Sequence, residues 1–217
     1  MSELEAAEQA VTAALDAGAR YADARVMHRR YESMSARNGD VDSVNQQADS
    51  GVGVRALVDS GWGFFATADL ADGSVRAAGA RATEIAAASA VVSRSSGGLM
   101  PTEPASGSWS SGCAVDPFAV ALSTKGDLLV RATNTMLEHG ADLAEGLYQL
   151  WETRKWFVSS EGHRIEQHLR ESGAGIMATA IGDGETQRRS YPAARGQYGT
   201  QGWELVDALD QERLVSM

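Results

Sequence analysis

Gly18, Ala19, Ala22 and Asp23 have counterparts 122 residues later in Gly140, Ala141, Ala144 and Glu145, and the same shift carries Gly51 and Gly53 to Gly173 and Gly175. One shift that aligns six positions reads as a diverged duplication. It restricts the chain to folds built from two copies of one supersecondary unit. The turn signals follow with a small slip: Gly39 corresponds to Gly162, and Asp59-Ser60-Gly61 to Gly182-Asp183-Gly184, each one residue out of step.

Local patterning says what the repeated unit is. Leu4, Ala7, Val11, Ala14 and Leu15 recur at helical spacing before Gly18, a glycine placed to end a helix. Tyr21 to Arg37 then runs into Asn38-Gly39, a strong hairpin-turn pair, so two long antiparallel strands are expected. Val52, Val54, Ala56 and Val58 alternate onto one face, turn at Asp59-Ser60-Gly61 and continue into Trp62–Thr67. Asp69 to Val92 reads as an alanine-rich helix whose small face can lie close against a sheet. Ser93 to Pro117 is rich in Ser, Gly and Pro and reads as a mobile tether, with a functional loop around Trp109 as the other reading. Phe118, Leu122, Leu129, Ala132 and Met136 open a second helix that closes at His139-Gly140. The expected fold is α+β, two repeated units of helix plus bent antiparallel sheet with long hairpins. The units span 1–92 and 118–217, joined by the tether 93–117.

Composition excludes several functions. Nineteen basic against 29 acidic residues give a net charge of −10, a poor match to a phosphate backbone, so no nucleic-acid partner is expected. Apolar runs such as Ala86–Val92 fall far short of the roughly 18 residues a membrane helix needs, and the N-terminus has no basic leader, so a cytoplasmic protein is expected. The lone Cys113 and four scattered histidines, His28, His139, His163 and His168, form no zinc spacing. Gly51-x-Gly53 lacks the third glycine and following helix of a phosphate loop, and reads instead as a strand whose backbone lies close to another chain or a ligand. The acidic pairs Asp40/Asp42 and Asp69/Asp72 sit at turns and a helix start, where carboxylates accept backbone N–H bonds. Arg188, Arg189 and Arg195 read as a solvated rim, or as a contact for a peptide carboxylate or partner subunit.

The succession Tyr21-Ala22-Asp23-Ala24-Arg25-Val26, Ala36-Arg37-Asn38-Gly39-Asp40-Val41, Gly51-Val52-Gly53-Val54-Arg55 and Trp62-Gly63-Phe64 resembles the opening of the TldD/PmbA family. Glu171-Ser172-Gly173-Ala174-Gly175 and Gln187-Arg188-Arg189-Ser190-Tyr191-Pro192 are similar to the second half of that family's N-terminal domain. The resemblance implies zinc metallopeptidases that process unstructured peptides, with a proteolytic subunit paired to a non-catalytic homologue. It also implies a zinc held by a His-Glu-x-x-x-His helix and a later cysteine in the C-terminal half. This sequence contains no such motif, so no catalytic or metal residue carries over and no cofactor is expected in this chain. The expectation is a truncated frame, partial gene or domain fragment: a substrate-gathering and assembly domain, inactive alone. The alternative is a stand-alone peptide- or subunit-binding module. The candidate peptide- or partner-binding residues are Gly51, Gly53, Trp62, Phe64, Arg188 and Arg189. The long hairpins are expected to leave unpaired edges for strand addition, and Trp62, Phe64, Trp151 and Trp156 to exceed what one unit can bury.

Overall fold

The structure, a computed structural model, describes residues 1–93, 99–100, 102–193 and 196–208. The elements in chain order are α1 (Glu3–Asp16), β1 (Tyr21–Arg37), β2 (Asp40–Val58), β3 (Gly61–Thr67), α2 (Asp72–Val92), β4 (Ser106–Ser110), α3 (Leu122–Glu138), β5 (Leu143–Ser159), β6 (Arg164–Gly182), β7 (Glu185–Tyr191), β8 (Gln197–Gly199) and α4 (Glu204–Asp207). The fold is α+β. Its strands run in the order β3-β2-β1-β5-β6-β4, with β7 and β8 also on β6.

The duplication is written into the strands. β1 and β5 each have 17 residues, β2 and β6 each 19, and β3 and β7 each seven. Val52 pairs with Thr67 and Val58 with Gly61; 124 residues on, Ile176 pairs with Tyr191 and Gly182 with Glu185. The offset is 122 at β1/β5 and 124 beyond, because the β1–β2 turn uses residues 38–39 while the β5–β6 connection uses 160–163. Gly51 therefore corresponds in strand position to Gly175, two residues along from Gly173. Gly18 and Gly140 end their helices at φ 104° and 95°, a left-handed conformation that glycine reaches without Cβ strain. Asn38 and Gly39 adopt φ 49° and 87°, as a two-residue hairpin turn of this kind requires.

Two expectations are corrected. The inner edges of the long hairpins are not open, because β1 pairs with β5. The stretch read as a tether contains β4, which pairs with β6, and the Ser111 hydroxyl accepts the Arg170 N–H at 2.8 Å. The helix expected from Trp203 begins as α4. Its remainder to Val215, together with Pro101 and Arg195, lies outside the described residues.

The chain forms two compact units that are not its two halves. The first comprises Met1–Arg29, Asp49–Trp109 and Thr153–His168; the second comprises Arg30–Ala48, Ser110–Glu152 and Leu169–Met217. The division interleaves because β1, β2, β5 and β6 each supply residues to both units.

In the first unit α1 and α2 pack on one sheet face. Ser2 caps α1 in a reciprocal capping box with Glu5, satisfying two N-terminal donors. The core is small: Ala7, Ala10, Ala14, Ala22, Ala24, Val26, Val54, Ala56, Val75, Ala78, Ala82 and Ala86 cluster there. Close approach makes up for side-chain size. A Cβ on Gly79 would fall 2.2 Å from the Ala10 carbonyl oxygen, and one on Gly63 would fall 2.1 Å from that of Ala82. The small face expected of α2 is thus matched by glycines on β3. Asp69 Oδ1 accepts the Ala71 N–H at 2.9 Å at the start of α2, the structural role expected of it.

In the second unit α3 covers Met34, Ala36, Tyr148 and Leu150, joined by Trp203 and Val206. Inside this apolar cluster lies an ion pair, Lys125 Nζ to Glu32 Oε1 at 2.6 Å, with both side chains almost fully buried. The Tyr148 hydroxyl donates to Glu32 Oε1 at 3.0 Å and Gln46 Nε2 to Oε2 at 2.7 Å. Burial alone would raise the Glu32 pKa. The bonds from Lys125, Gln46 and Tyr148 and the Lys125 charge outweigh it and hold the carboxyl below its usual range.

Two measurements check these arguments. Gly63→Val forces Cβ into helix backbone and should cost at least ~2 kcal/mol in urea unfolding. Gly73→Ala, at a helical glycine with open space around it, should be neutral or stabilise by up to about 0.5 kcal/mol. Lys125→Met strands a buried carboxylate and should cost ~3–5 kcal/mol at neutral pH, with most of that recovered by adding Glu32→Gln. Because the folded pKa of Glu32 lies below the unfolded value, its contribution is present above about pH 4.3 and fades as pH falls. The deficit of Lys125→Met should accordingly narrow in acid.

Candidate functional site

Side-chain alternation on β1–β3 puts Val52, Val54 and Ala56 under the helices and leaves Gly53, Arg55, Leu57, Trp62 and Phe64 on the opposite face. Register brings Arg55 opposite Phe64 and Leu57 opposite Trp62. Four of the six sequence-derived candidates therefore sit together on the β2–β3 hairpin. A Cβ on Gly53 would come within 3.2 Å of the Phe64 ring, and one on Gly51 within 2.6 Å of the Thr67 carbonyl oxygen. The Gly-x-Gly spacing admits the neighbouring strand and its ring. The close approach expected there is made within this hairpin.

The face is organised by Asp23, which is fully buried. Its carboxylate accepts from the Tyr21 hydroxyl at 2.9 Å, from Arg25 Nη1 at 2.5 Å, and from Arg55 Nε and Nη2 at 2.8 and 2.6 Å. The Arg55 guanidinium stacks over the Trp62 ring at 4.9 Å, and Arg25 over Phe157 at 4.8 Å. Tyr21 meets Trp62 edge-on at 5.8 Å. Burial, and then the Asp23 charge, push the Tyr21 hydroxyl up to about 12, so it remains a neutral donor. Two guanidiniums around one carboxylate leave one unit of positive charge, carried by side chains 39% and 43% exposed. Beside them Trp62 and Phe64 are 40% and 61% exposed. This is a cationic and aromatic face, suited to peptide carbonyls, carboxylates and apolar side chains. β3 stands at the end of the strand order, so its outer edge has no strand partner among the described residues.

Arg188 and Arg189 lie elsewhere, on β7 in the second unit, opposite Thr179 and Ala178. Arg189 borders a cleft of about 300 Å³ walled by Met136, His139, Ile176, Ala178, Ala180 and Tyr191. Trp151 in this unit lies within an aromatic chain with Tyr31 and Tyr198, at ring distances of 5.5 and 5.7 Å. In the first unit Trp156 packs partly buried against the core and meets His28 edge-on.

Among the described residues, no three His, Cys, Asp or Glu side chains converge. His28 pairs with Glu3, His139 Nδ1 lies 2.8 Å from the Thr135 carbonyl oxygen, and His163 lies by Thr102 and Ala105. Burial chiefly raises the Cys113 pKa, favouring the thiol over the ligating thiolate. No helix of the described residues is long and apolar enough to cross a membrane.

Tyr21, Asp23, Arg25 and Arg55 stand in the family-like motifs, but nothing in the sequence around them assigns a role. The usable signal was Asp23 and Arg25 two apart on one strand, hence on one face. The buried Lys125 was missed although it is one of two lysines, Lys125 and Lys155.

Residues 22–86 match the family profile PmbA/TldA metallopeptidase domain 1. No curated protein matches the sequence. The fold is similar to that of a candidate modulator of DNA gyrase from Bacteroides thetaiotaomicron (TM-score 0.74, 14% identity, covering 98% of this chain and 48% of that one). A second such candidate modulator, from Thermotoga maritima, matches at TM-score 0.71 and 16% identity, over 98% of this chain and 46% of that one. TldE from Thermococcus kodakarensis matches at TM-score 0.71 and 14% identity, over 97% and 46%. The chain spans about half the length of these proteins. The matched segment contains Asp23, Arg25, Arg55, Trp62 and Phe64, so the residues that organise the aromatic face lie in the part of the chain that is similar to domain 1 of the PmbA/TldA metallopeptidases.

Proposed function

We propose that this chain gathers substrate and supports assembly for a TldD-like zinc metallopeptidase acting on unstructured peptides. Its own residues supply no zinc ligand, and the zinc is held in a part of the protein outside this chain. The observation that carries the reading is the outer edge of β3, without a strand partner among the described residues, beside exposed Trp62 and Phe64 on a face made cationic by Arg25 and Arg55. An extended peptide added to that edge gains backbone hydrogen bonds whatever its sequence, while its outward side chains meet the aromatic pair. This suits a processor of varied, unfolded peptides. Gly51 and Gly53 serve by leaving room for the Thr67 carbonyl and the Phe64 ring that lie against them. Arg188 and Arg189 are assigned to the subunit partner, a homologous TldD/PmbA-type chain, in a cytoplasmic setting.

Hydrogen exchange with and without an unfolded casein peptide tests the reading. Protection should rise at the amides of Gly61–Thr67, and Phe64→Ser should weaken binding about tenfold, or ~1.4 kcal/mol, without changing the unfolding midpoint. Unchanged exchange at β3 would refute strand addition. In parallel, the dialysed chain should retain no stoichiometric zinc and cleave no peptide; retained zinc would overturn the division of labour.

A further inference from the structure

The two repeats build matching strands with different side chains on the face turned away from α1 and α2. In the first, the fully buried Asp23 holds Arg25 through Oδ1 and Arg55 through Oδ2, with the Tyr21 hydroxyl as a further donor. Under the offsets of 122 and 124 residues, Tyr21, Arg25, Arg55 and Trp62 become Leu143, Leu147, Thr179 and Thr186, and only the acid survives, as Glu145. Glu145 is partly exposed and takes Arg37 at 3.1 Å. The second hairpin thus forms with neither guanidinium at these positions. The strand architecture does not call for them.

We propose that Arg25 and Arg55 together form a subsite for one carboxylate of a bound peptide. This deepens the peptide-gathering reading and rests on it only for the source of the carboxylate, since the two arginines act apart from the β3 edge. Asp23 engages one N–H group of Arg25 and two of Arg55, and the Tyr21 hydroxyl also lies against Arg55. Further guanidinium donors remain on each, on side chains 39% and 43% exposed. The rings of Phe157 and Trp62, at 4.8 and 4.9 Å, fix where each guanidinium stands. Bonded on one side and stacked on another, neither arginine has to be ordered again when a ligand arrives.

Charge sets the class of ligand. Strand alternation within the first unit places Arg25, Arg29, Arg55 and Lys155 on this face against Asp23 and Asp49, four positive charges to two negative. The residues in the connections at the Tyr21 end, Arg20, Asp59 and Glu161, add one positive and two negative charges and bring the surplus from two to one. A single carboxylate matches that surplus, whereas a phosphate group, at about −1.5 to −2 near neutral pH, overshoots it. Guanidiniums meet carboxylate oxygens in charge-assisted hydrogen bonds, and the exposed Trp62 and Phe64 rings lie close by for apolar neighbours of the acidic group.

The test titrates the whole chain with short, labelled, unfolded peptides of Ser, Gly and one Phe, blocked at both ends and carrying Glu, Gln or Lys at the centre; a fourth carries Gln and a free C-terminal carboxylate. A carboxylate should tighten binding about tenfold over the blocked Gln peptide, and the Lys peptide should bind most weakly. Whether the Glu peptide, the free C-terminus or both show the gain identifies the source of the carboxylate. Arg25→Gln leaves Asp23 bonded to Arg55 and Tyr21, so it should unfold at a urea midpoint near the parent's while cutting the gain to about threefold or less. In the parent, the Nε–H resonances of Arg25 and Arg55 should move with the carboxylate peptides and stay with the blocked Gln peptide, a readout that does not depend on the variant. No gain from either carboxylate, a gain that a folded Arg25→Gln keeps whole, or unmoved Nε–H resonances would overturn the proposal. Hydrogen exchange separates it from the reading above: a carboxylate gain without protection of Gly61–Thr67 keeps the subsite and removes strand addition, and protection without a gain does the reverse.

Discussion

The antiparallel pairing of β1 with β5 is the constraint from which the rest of the sheet follows. At one end of this pair the Asn38 N–H donates to the Ala144 carbonyl oxygen at 2.9 Å, and the Ala144 N–H returns to the Asn38 side-chain oxygen at 2.8 Å. At the other end the Ser160 N–H donates to the Ala22 carbonyl oxygen at 2.8 Å, and the Ala22 N–H returns to the Ser160 hydroxyl at 3.1 Å. The partners exchange roles under the 122-residue shift, Asn38 with Ser160 and Ala22 with Ala144. A duplicated strand has joined its own copy, and a short polar side chain at each turn closes the last rung where the ladder would leave a donor unmatched. With β1 and β5 paired, the remaining strands can extend the sheet only outwards, which puts β3 at one edge.

Each unit then carries charge where its side chains can neutralise it. Asp23 is buried yet fully bonded, because Tyr21, Arg25 and Arg55 converge on it from two strands. Removing water from a carboxylate is tolerable only when such partners replace it. The result orders Arg55 and hence Trp62, so a buried anion fixes the pose of an exposed aromatic. Glu32 and Lys125 solve the same problem differently: a helix lysine reaches a strand carboxylate inside an apolar cluster. That pair specifies which way α3 lies on its strands, since any other placement leaves an ion unpaired.

The two copies differ in the short strand that ends each hairpin. β3 has Gly61 and Gly63 under α2, whereas β7 has Glu185, Gln187 and Arg189 beside an open cleft. The first copy used this face for its own stability. In the second copy the backbone register survives while the side chains have become larger and charged, a change that excludes α2-like packing.

Much of this was legible in the residues. The shift of 122, the helix-ending glycines, the Asn38-Gly39 turn and the alternation of Val52, Val54 and Ala56 depend on local backbone geometry and on the two-residue period of a strand, and local geometry is encoded locally. The family resemblance was legible for the same reason, since its motifs fall at turns and on alternating strand positions. Gly51-x-Gly53 could be excluded as a phosphate loop, but the close approach it serves involves Phe64 and Thr67, known only once register is fixed. Which strand meets which is decided by pairing across more than 100 residues, so sequence left the edges of β1 and β5 open where the fold closes them. The interleaving of the units, the convergence of Arg25 and Arg55 on Asp23 and the burial of Lys125 all arise from that same long-range pairing. No periodicity in the chain announces them, because each depends on which side chains meet once distant strands have chosen their neighbours.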